Sequence, residues 1–368
     1  MIRQKPVRWS RVSLIAAMLV SQFLFNIPAR AQEATQQQNP LVFSVVKTPN
    51  IAAIGAMGAD SANDVWAVPS VPHPISLRFD GAKWQALPMV DGGRMSGVAV
   101  LSSKNVWAVG EQANAAFSEI QHFDGKQWTV VASPHFAAGD ALFGIQALSP
   151  SNIYAVGASV SKTQKSRPLI LHFDGRAWSV VSIPAIANAE LLSIAAVSPS
   201  DIWAVGGFLK VNHPILALHF NGQQWTRVAV PGGGGLLGVT AIASNNVWAV
   251  GSQEGHGALI EHWDGTSWKT FNSPETLITA RLNGVSAISA TDIWAAGCNQ
   301  CGDAGLGQAP LVEHFDGSVW TINPAPTSGQ GSVGNAVLAI QPGNVFVGGV
   351  ALTSTGIESV LLSATEVH

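Results

Sequence analysis

The chain has 368 residues, with 19 Lys and Arg against 22 Asp and Glu; 11% are charged and 47% hydrophobic. So few charges, with no basic run, exclude a nucleic-acid surface, which neutralises phosphates with clustered cations. Beyond the first residues no stretch is apolar for long enough to span a bilayer, so no membrane span is expected after processing.

Residues 1–31 read as an export signal. Arg3, Lys5, Arg8 and Arg11 make a basic start, "VSLIAAMLV" opens an apolar core, and "ARA" at Ala29–Ala31 is a small-x-small cleavage site before Gln32. A transmembrane anchor fits less well, because Ser21, Gln22 and Asn26 interrupt the apolar run. The signal holds five of the 19 basic residues and none of the 22 acidic ones, so the exported chain carries 14 against 22, a net charge of −8. A periplasmic, extracellular or cell-surface location is expected. "QEATQQQNP", residues 32–40, is polar without apolar period and reads as a flexible lead-in.

From Leu41 onward two elements recur. "DVWAV" at Asp64 returns as "NVWAV" at Asn105, "NIYAV" at Asn152, "DIWAV" at Asp201, "NVWAV" at Asn246, "DIWAA" at Asp292 and "NVFVG" at Asn344. Their aromatics, Trp66, Trp107, Tyr154, Trp203, Trp248, Trp294 and Phe346, are 41, 47, 49, 45, 46 and 52 residues apart. Seven units of this length match the blades of a β-propeller. Each unit breaks into four short runs of branched and aromatic residues, punctuated by Asp, Asn, Gly, Ser and Pro, which predict antiparallel strands a, b, c and d.

The second element looks like a site but recurs too often to be one. "RFDGAKW" ends at Trp84, "HFDGKQW" at Trp128, "HFDGRAW" at Trp178, "HFNGQQW" at Trp225, "HWDGTSW" at Trp268 and "HFDGSVW" at Trp320. Asp-Gly supplies a tight c–d turn, since Asp bonds its own backbone and Gly takes positive φ. His122, His172, His219, His262 and His314 are therefore expected to be scaffold. So are eleven of the twelve tryptophans after the signal, which fall at the two repeat positions; Trp263 is the exception.

The last unit lacks a strand d, and "FSVVKTP" at Phe43–Pro49 matches "WSVVSIP" at Trp178–Pro184. The N-terminal run is expected to complete the last blade beside Glu358–Ala364. The fold class is all-β: one seven-bladed β-propeller of four-stranded antiparallel blades over residues 41–368, closed by its N-terminal strand.

The scheme D/N-V-W-A-V-G, then H-F-D-G-x-x-W, then V-x-x-P resembles secreted bacterial propellers of the BNR/photosystem-assembly-factor-like group, where W-x-V-G precedes a D-G-G-x-x-W hairpin. It is also similar to the tectonin repeats of some propeller lectins. The resemblance covers the exported chain and implies the fold. The S-x-D-x-G-x-T-W box of sialidases and the kelch and WD signatures are missing, so no catalytic residue carries over.

Where repeats differ is where function is expected. The a–b and c–d turns are short and uniform; the b–c and d–a connections hold nearly all the variation. The ligand-binding candidates on that face are Asp91, Arg94, His135, Asp140, Glu190, His213, His256, Arg281 and Asp303. Small residues of strand a, Gly144, Ser193, Gly238, Gly284 and Ala336, are expected to line the channel. Cys298 and Cys301 are expected to form a disulfide in an exported chain with two cysteines; a redox pair lacks its strand-to-helix setting, and a metal site would need more ligands, such as His256. "PGGGG" at Pro231–Gly235 precedes a strand, not a helix, and cannot cradle phosphate in the usual way. No cofactor is expected. The functional expectation is a monomeric binding or scaffolding propeller for a carbohydrate or protein. The alternative is a glycan lyase or hydrolase at the channel mouth.

Overall fold

The computed structural model describes residues 41–90, 93–112, 117–136, 139–160, 166–207, 215–253, 255–301 and 309–366. These hold 28 strands and no helix. The strands form seven four-stranded antiparallel sheets. Strand a of each blade packs against strand a of the next, and the last, Gly331–Gln341, packs against the first, Ile54–Ser61, so the ring is closed.

Strand b explains why the repeats read as continuous apolar runs. Asp201–Gly206 is buried along nearly its whole length, because neighbouring blades cover both of its faces. Its aromatic reaches into the next blade. Trp66 packs on Phe123 and Trp128, Trp107 on Phe173 and Trp178, Trp203 on Trp263 and Trp268, and Trp248 on Phe315 and Trp320, with ring centroids 4.8–5.8 Å apart. Edge-on and tilted contacts of this kind are the favoured aromatic geometry.

The histidines of the second element serve this core. Each of the five places Nε2 2.8–3.0 Å from the side-chain oxygen of the Asn or Asp that opens strand b. Each ring also stacks on the strand-b aromatic, centroids 4.2–4.4 Å apart. In blades two and five the same oxygen accepts the indole N–H, from Trp107 at 2.9 Å and from Trp248 at 2.8 Å. An oxygen that accepts from indole is the carbonyl of the amide, so the histidine must donate through Nε2. In blade one Arg78 replaces His: its Nε lies 2.6 Å from Asp64 and its guanidinium 5.4 Å from the Trp66 ring centroid.

The c–d turns follow the local rule. In six blades the Asp or Asn Oδ1 accepts the N–H groups two and three residues on, at 2.8–3.1 Å. The glycine that follows has φ between +87° and +95°, the region where only glycine is unstrained.

The last blade takes its strand d from the chain's beginning. Leu41–Val45 pairs antiparallel with the final strand, Leu41 opposite Glu366 and Val45 opposite Leu362. The register is that of the sequence match, Phe43 opposite Ala364 as Trp178 is opposite Phe173, and the strand begins two residues before the matched run. One more bond, Val46 N–H to Leu361 O at 2.8 Å, follows it. Pro49 has no N–H to offer the ladder, and the chain here is held instead by Asn50 Oδ1, which accepts the Ser359 N–H at 3.4 Å.

Strand a carries a bulge near its start in every blade. The residues after the bulges are Ala56, Gly97, Gly144, Ser193, Gly238, Gly284 and Ala336, and they line a central cavity of about 190 Å³. A side chain at these positions would meet the adjacent blade: a Cβ on Gly238 would lie 3.1 Å from the Gly284 Cα.

Candidate functional site

Strands a and c start, and strands b and d end, at the face that carries the b–c and d–a connections. The seven bulged residues ring the channel at that end: Gly55, Ser96, Phe143, Leu192, Leu237, Asn283 and Asn335. All are half-buried. Three consecutive blades supply an apolar arc, Phe143, Leu192 and Leu237. The opposite arc is polar. There Asn283 donates to Gly334 O and Asn335 to Ile54 O, both at 2.9 Å, tying blade to blade. The bulge is a tertiary feature and the sequence reading missed this ring.

Three of the predicted residues fall at one register. Arg94, Glu190 and Arg281 each stand two positions before the bulge, in blades two, four and six. Arg94 pairs with Glu111 at 3.4 Å. Glu190 accepts the Ser166 hydroxyl at 3.1 Å. Arg281 has a buried Nε with no partner among the described residues, and desolvation lowers its pKa.

His135 and Asp140 are brought together, Nδ1 to Oδ2, at 3.6 Å. Asp140 is fully buried and accepts from the Ser118 hydroxyl, the Ser118 N–H and the Phe136 N–H, the latter two at 3.3 Å. It anchors the connection between blades two and three, and His135 is the exposed member. His256 is exposed on its own loop. Asp91, His213 and Asp303 lie outside the described residues. Cys298 and Cys301 form a disulfide with Cα atoms 5.7 Å apart, and the Cys301 N–H reaches Thr279 O at 3.3 Å. Among the described residues no three His, Cys, Asp or Glu side chains are grouped to hold a metal ion.

Blade three carries a groove at this end. One cavity of about 370 Å³ is lined by Phe136, Val160, Leu169, Val180 and Ile183. A second of about 310 Å³ is lined by Pro184, Ala185, Ile186 and Ala187. They share Arg167, Pro168 and Ile183. Two main-chain bonds tie the d–a connection to strand c, Ser166–Phe173, on either side of the groove. Val181 N–H bonds Ile170 O at 2.9 Å, and Asn188 N–H bonds Ser166 O at 2.8 Å. Asn188 holds φ at +56° to make the second bond. Between them residues 182–187 arch off the sheet.

Two buried carboxyls escaped the sequence reading. Glu261 and Glu313 precede the repeat histidines, where blades one, three, four and seven have Leu. Glu261 accepts from Thr270 at 2.7 Å and Glu313 from Ser273 at 2.6 Å, while each Oε2 is buried without a partner among the described residues. Burial pushes both up to about 7; Thr270 and Ser273 oppose it, and Glu275 adds repulsion at Glu313.

Fold and face together define a seven-bladed β-propeller with one uniform and one variable end. No protein-family model matches the chain, and no curated protein matches it. Solved structures do. The chain is similar to "YCF48 bound to D1 peptide", with 17% identity, a TM-score of 0.59, and coverage of 89% of this chain and 99% of that one. It is similar to YCF48 from Cyanidioschyzon merolae, with 15% identity, a TM-score of 0.57, and coverage of 87% and 98%. It is also similar to the WD40 β-propeller domain of Doa1, with 11% identity, a TM-score of 0.60, and coverage of 88% and 97%. At these identities the likeness is one of fold.

Proposed function

We propose that this is an exported binding or scaffolding propeller whose variable face takes a protein partner. The observation that carries the reading is the division of labour between the two ends. The uniform turns are built from self-satisfied Asp-Gly hairpins, while the cavity-bearing, variable end presents Arg167, His135 and apolar side chains.

A polypeptide fits this surface better than a sugar. Sugar sites are commonly built on exposed aromatic faces, but the large exposed apolar side chains among the described residues are aliphatic, such as Val180, Leu277 and Ile278. The tryptophans pack between blades. A similar fold holds a peptide in one solved structure. The two candidate carboxylates among the described residues offer little for glycan chemistry: Asp140 is a buried anchor and Glu190 is bonded to Ser166. Export through the signal at residues 1–31, and a monomeric state, belong to the same proposal.

The test is to purify the exported chain, confirm that it starts at Gln32, and present it to a random-peptide library and to a glycan array. Peptide binders competing with one another at the variable face are expected, with the array silent. Glycan binding without peptide binders, or binding lost on changing Lys126 or Gln223 at the other face, would overturn the reading.

A further inference from the structure

Resting on that reading, we propose that the groove on blade three takes an extended segment of the partner, with an acidic side chain at Arg167 and an apolar side chain in each flanking cavity. Four observations meet here. The two cavities adjoin across Arg167 and Pro168, so one short segment can occupy both. Arg167 is the lone charged side chain lining either of them, and it is exposed with no ion pair among the described residues. A cation so placed attracts a carboxylate locally and fixes where an acidic side chain sits in the groove. Guanidinium and carboxylate match as a two-point, charge-assisted pair.

The third observation is the edge beside the groove. Strand d, Trp178–Val180, is the outer strand of its sheet, and its far edge is unpaired. Val180 at the strand's end is half exposed and lines the larger cavity. Every blade has such an edge, but in blade three it borders the groove. The fourth is geometric. In an extended segment, residues i, i+2 and i+4 share a face and span about 13 Å. Because both cavities are lined by Arg167, an acidic side chain between two apolar ones is the order that would meet cavity, Arg167 and cavity. Edge pairing supplies main-chain bonds and the cavities supply selectivity, as in other cases of strand addition.

The experiment uses the exported full chain and a labelled peptide, Gly-Ser-Val-Thr-Asp-Thr-Val-Gly-Ser, read by fluorescence anisotropy. Saturable binding is expected. Replacing the peptide Asp by Lys should weaken it roughly tenfold or more, the worth of one charge-assisted bond. Moving both Val to one side of the Asp should do the same. Arg167→Glu and Val180→Lys should each weaken binding by a similar factor with unchanged melting, since both residues are solvent-facing. No saturable binding, or binding indifferent to Arg167→Glu and Val180→Lys, would overturn the proposal. Library-selected peptides that still bind the Arg167→Glu protein would remove the groove but leave the protein-binding reading standing. A library that yields no binders would remove both.

Discussion

Phe43, three residues into the described chain, lies edge-on to Trp294 of the sixth blade, ring centroids 5.9 Å apart and planes at 72°. The same contact recurs around the ring between a strand-b aromatic and the outer strand of the next blade. At the closure the outer strand comes from the other end of the chain. Phe346 of the last blade completes the circuit against Trp84 of the first, at 6.1 Å.

The closure should therefore carry stability for the whole ring. Phe43 is buried, and Phe43→Ala should cost about 3–5 kcal/mol by leaving a cavity. Removing residues 32–45 should cost more, through the lost strand pairing. Urea unfolding followed by tryptophan fluorescence reads both. An undiminished midpoint in the deletion would show that the last blade stands without its outer strand.

The Asn or Asp that opens strand b should matter more than its size suggests. Asp292 accepts both the Trp294 indole N–H at 2.7 Å and the His314 Nε2–H at 3.0 Å. Asp292→Ala orphans two buried donors and should cost about 2–4 kcal/mol. Trp203→Ala should cost about 3–5 kcal/mol. Peptide binding at blade three should survive both at temperatures below their melting points.

Glu261 and Glu313 should lower stability as pH rises from about 4.5 to about 7, opposed by His122, His172 and His262, whose burial holds their pKa below the ordinary imidazole value so that their contribution is lost as pH falls. Native Glu261 and Glu313 keep their protons up to about 7, whereas unfolded glutamates lose theirs near 4.5. Between those values the native state binds more protons, so raising pH favours unfolding; above about 7 the effect levels off. Each carboxyl contributes on the order of 3 kcal/mol. The turn aspartates Asp80, Asp124, Asp174 and Asp316 act oppositely. Backbone N–H bonds lower their pKa, so their contribution is lost below about 4, outside this window. Melting temperatures from pH 4 to 8 measure the slope, and Glu261→Gln with Glu313→Gln should shift it in the positive direction, leaving the histidine contribution.

The disulfide should rigidify a loop more than it stabilises the ring. Cys298 and Cys301 are three positions apart, so bridging them removes little unfolded-chain entropy. The unreduced protein should weigh two hydrogens less than the reduced one. Reduction should raise amide exchange around residues 298–301 while shifting the global midpoint only slightly. Two free thiols in the unreduced, purified protein would contradict the bridge.

Blade number, strand order and scaffold histidines were legible in the sequence because each rests on local, repeated chemistry. Asp124-Gly125 makes its turn within four residues, and the Trp107 position announces a buried strand wherever it recurs. The N-terminal closure was legible from the match of Phe43–Pro49 to Trp178–Pro184, while the extent of the strand, Leu41–Val45, was set by its pairing with the last strand. The variable face was legible as the end where repeats differ. What happens on it was not. Asp140 and Arg281 look alike in sequence as polar loop residues, yet one is a saturated anchor and the other a cation with a buried, unpartnered Nε. Glu261 and Glu313 look like strand polar residues facing water, but the adjacent blade desolvates them. The groove at Arg167 exists because residues 182–187 leave the sheet between two distant tie points. Such features depend on which surfaces tertiary packing removes from water, and that is decided by partners from other strands and connections, as Ser118 is to Asp140 and Ser273 to Glu313.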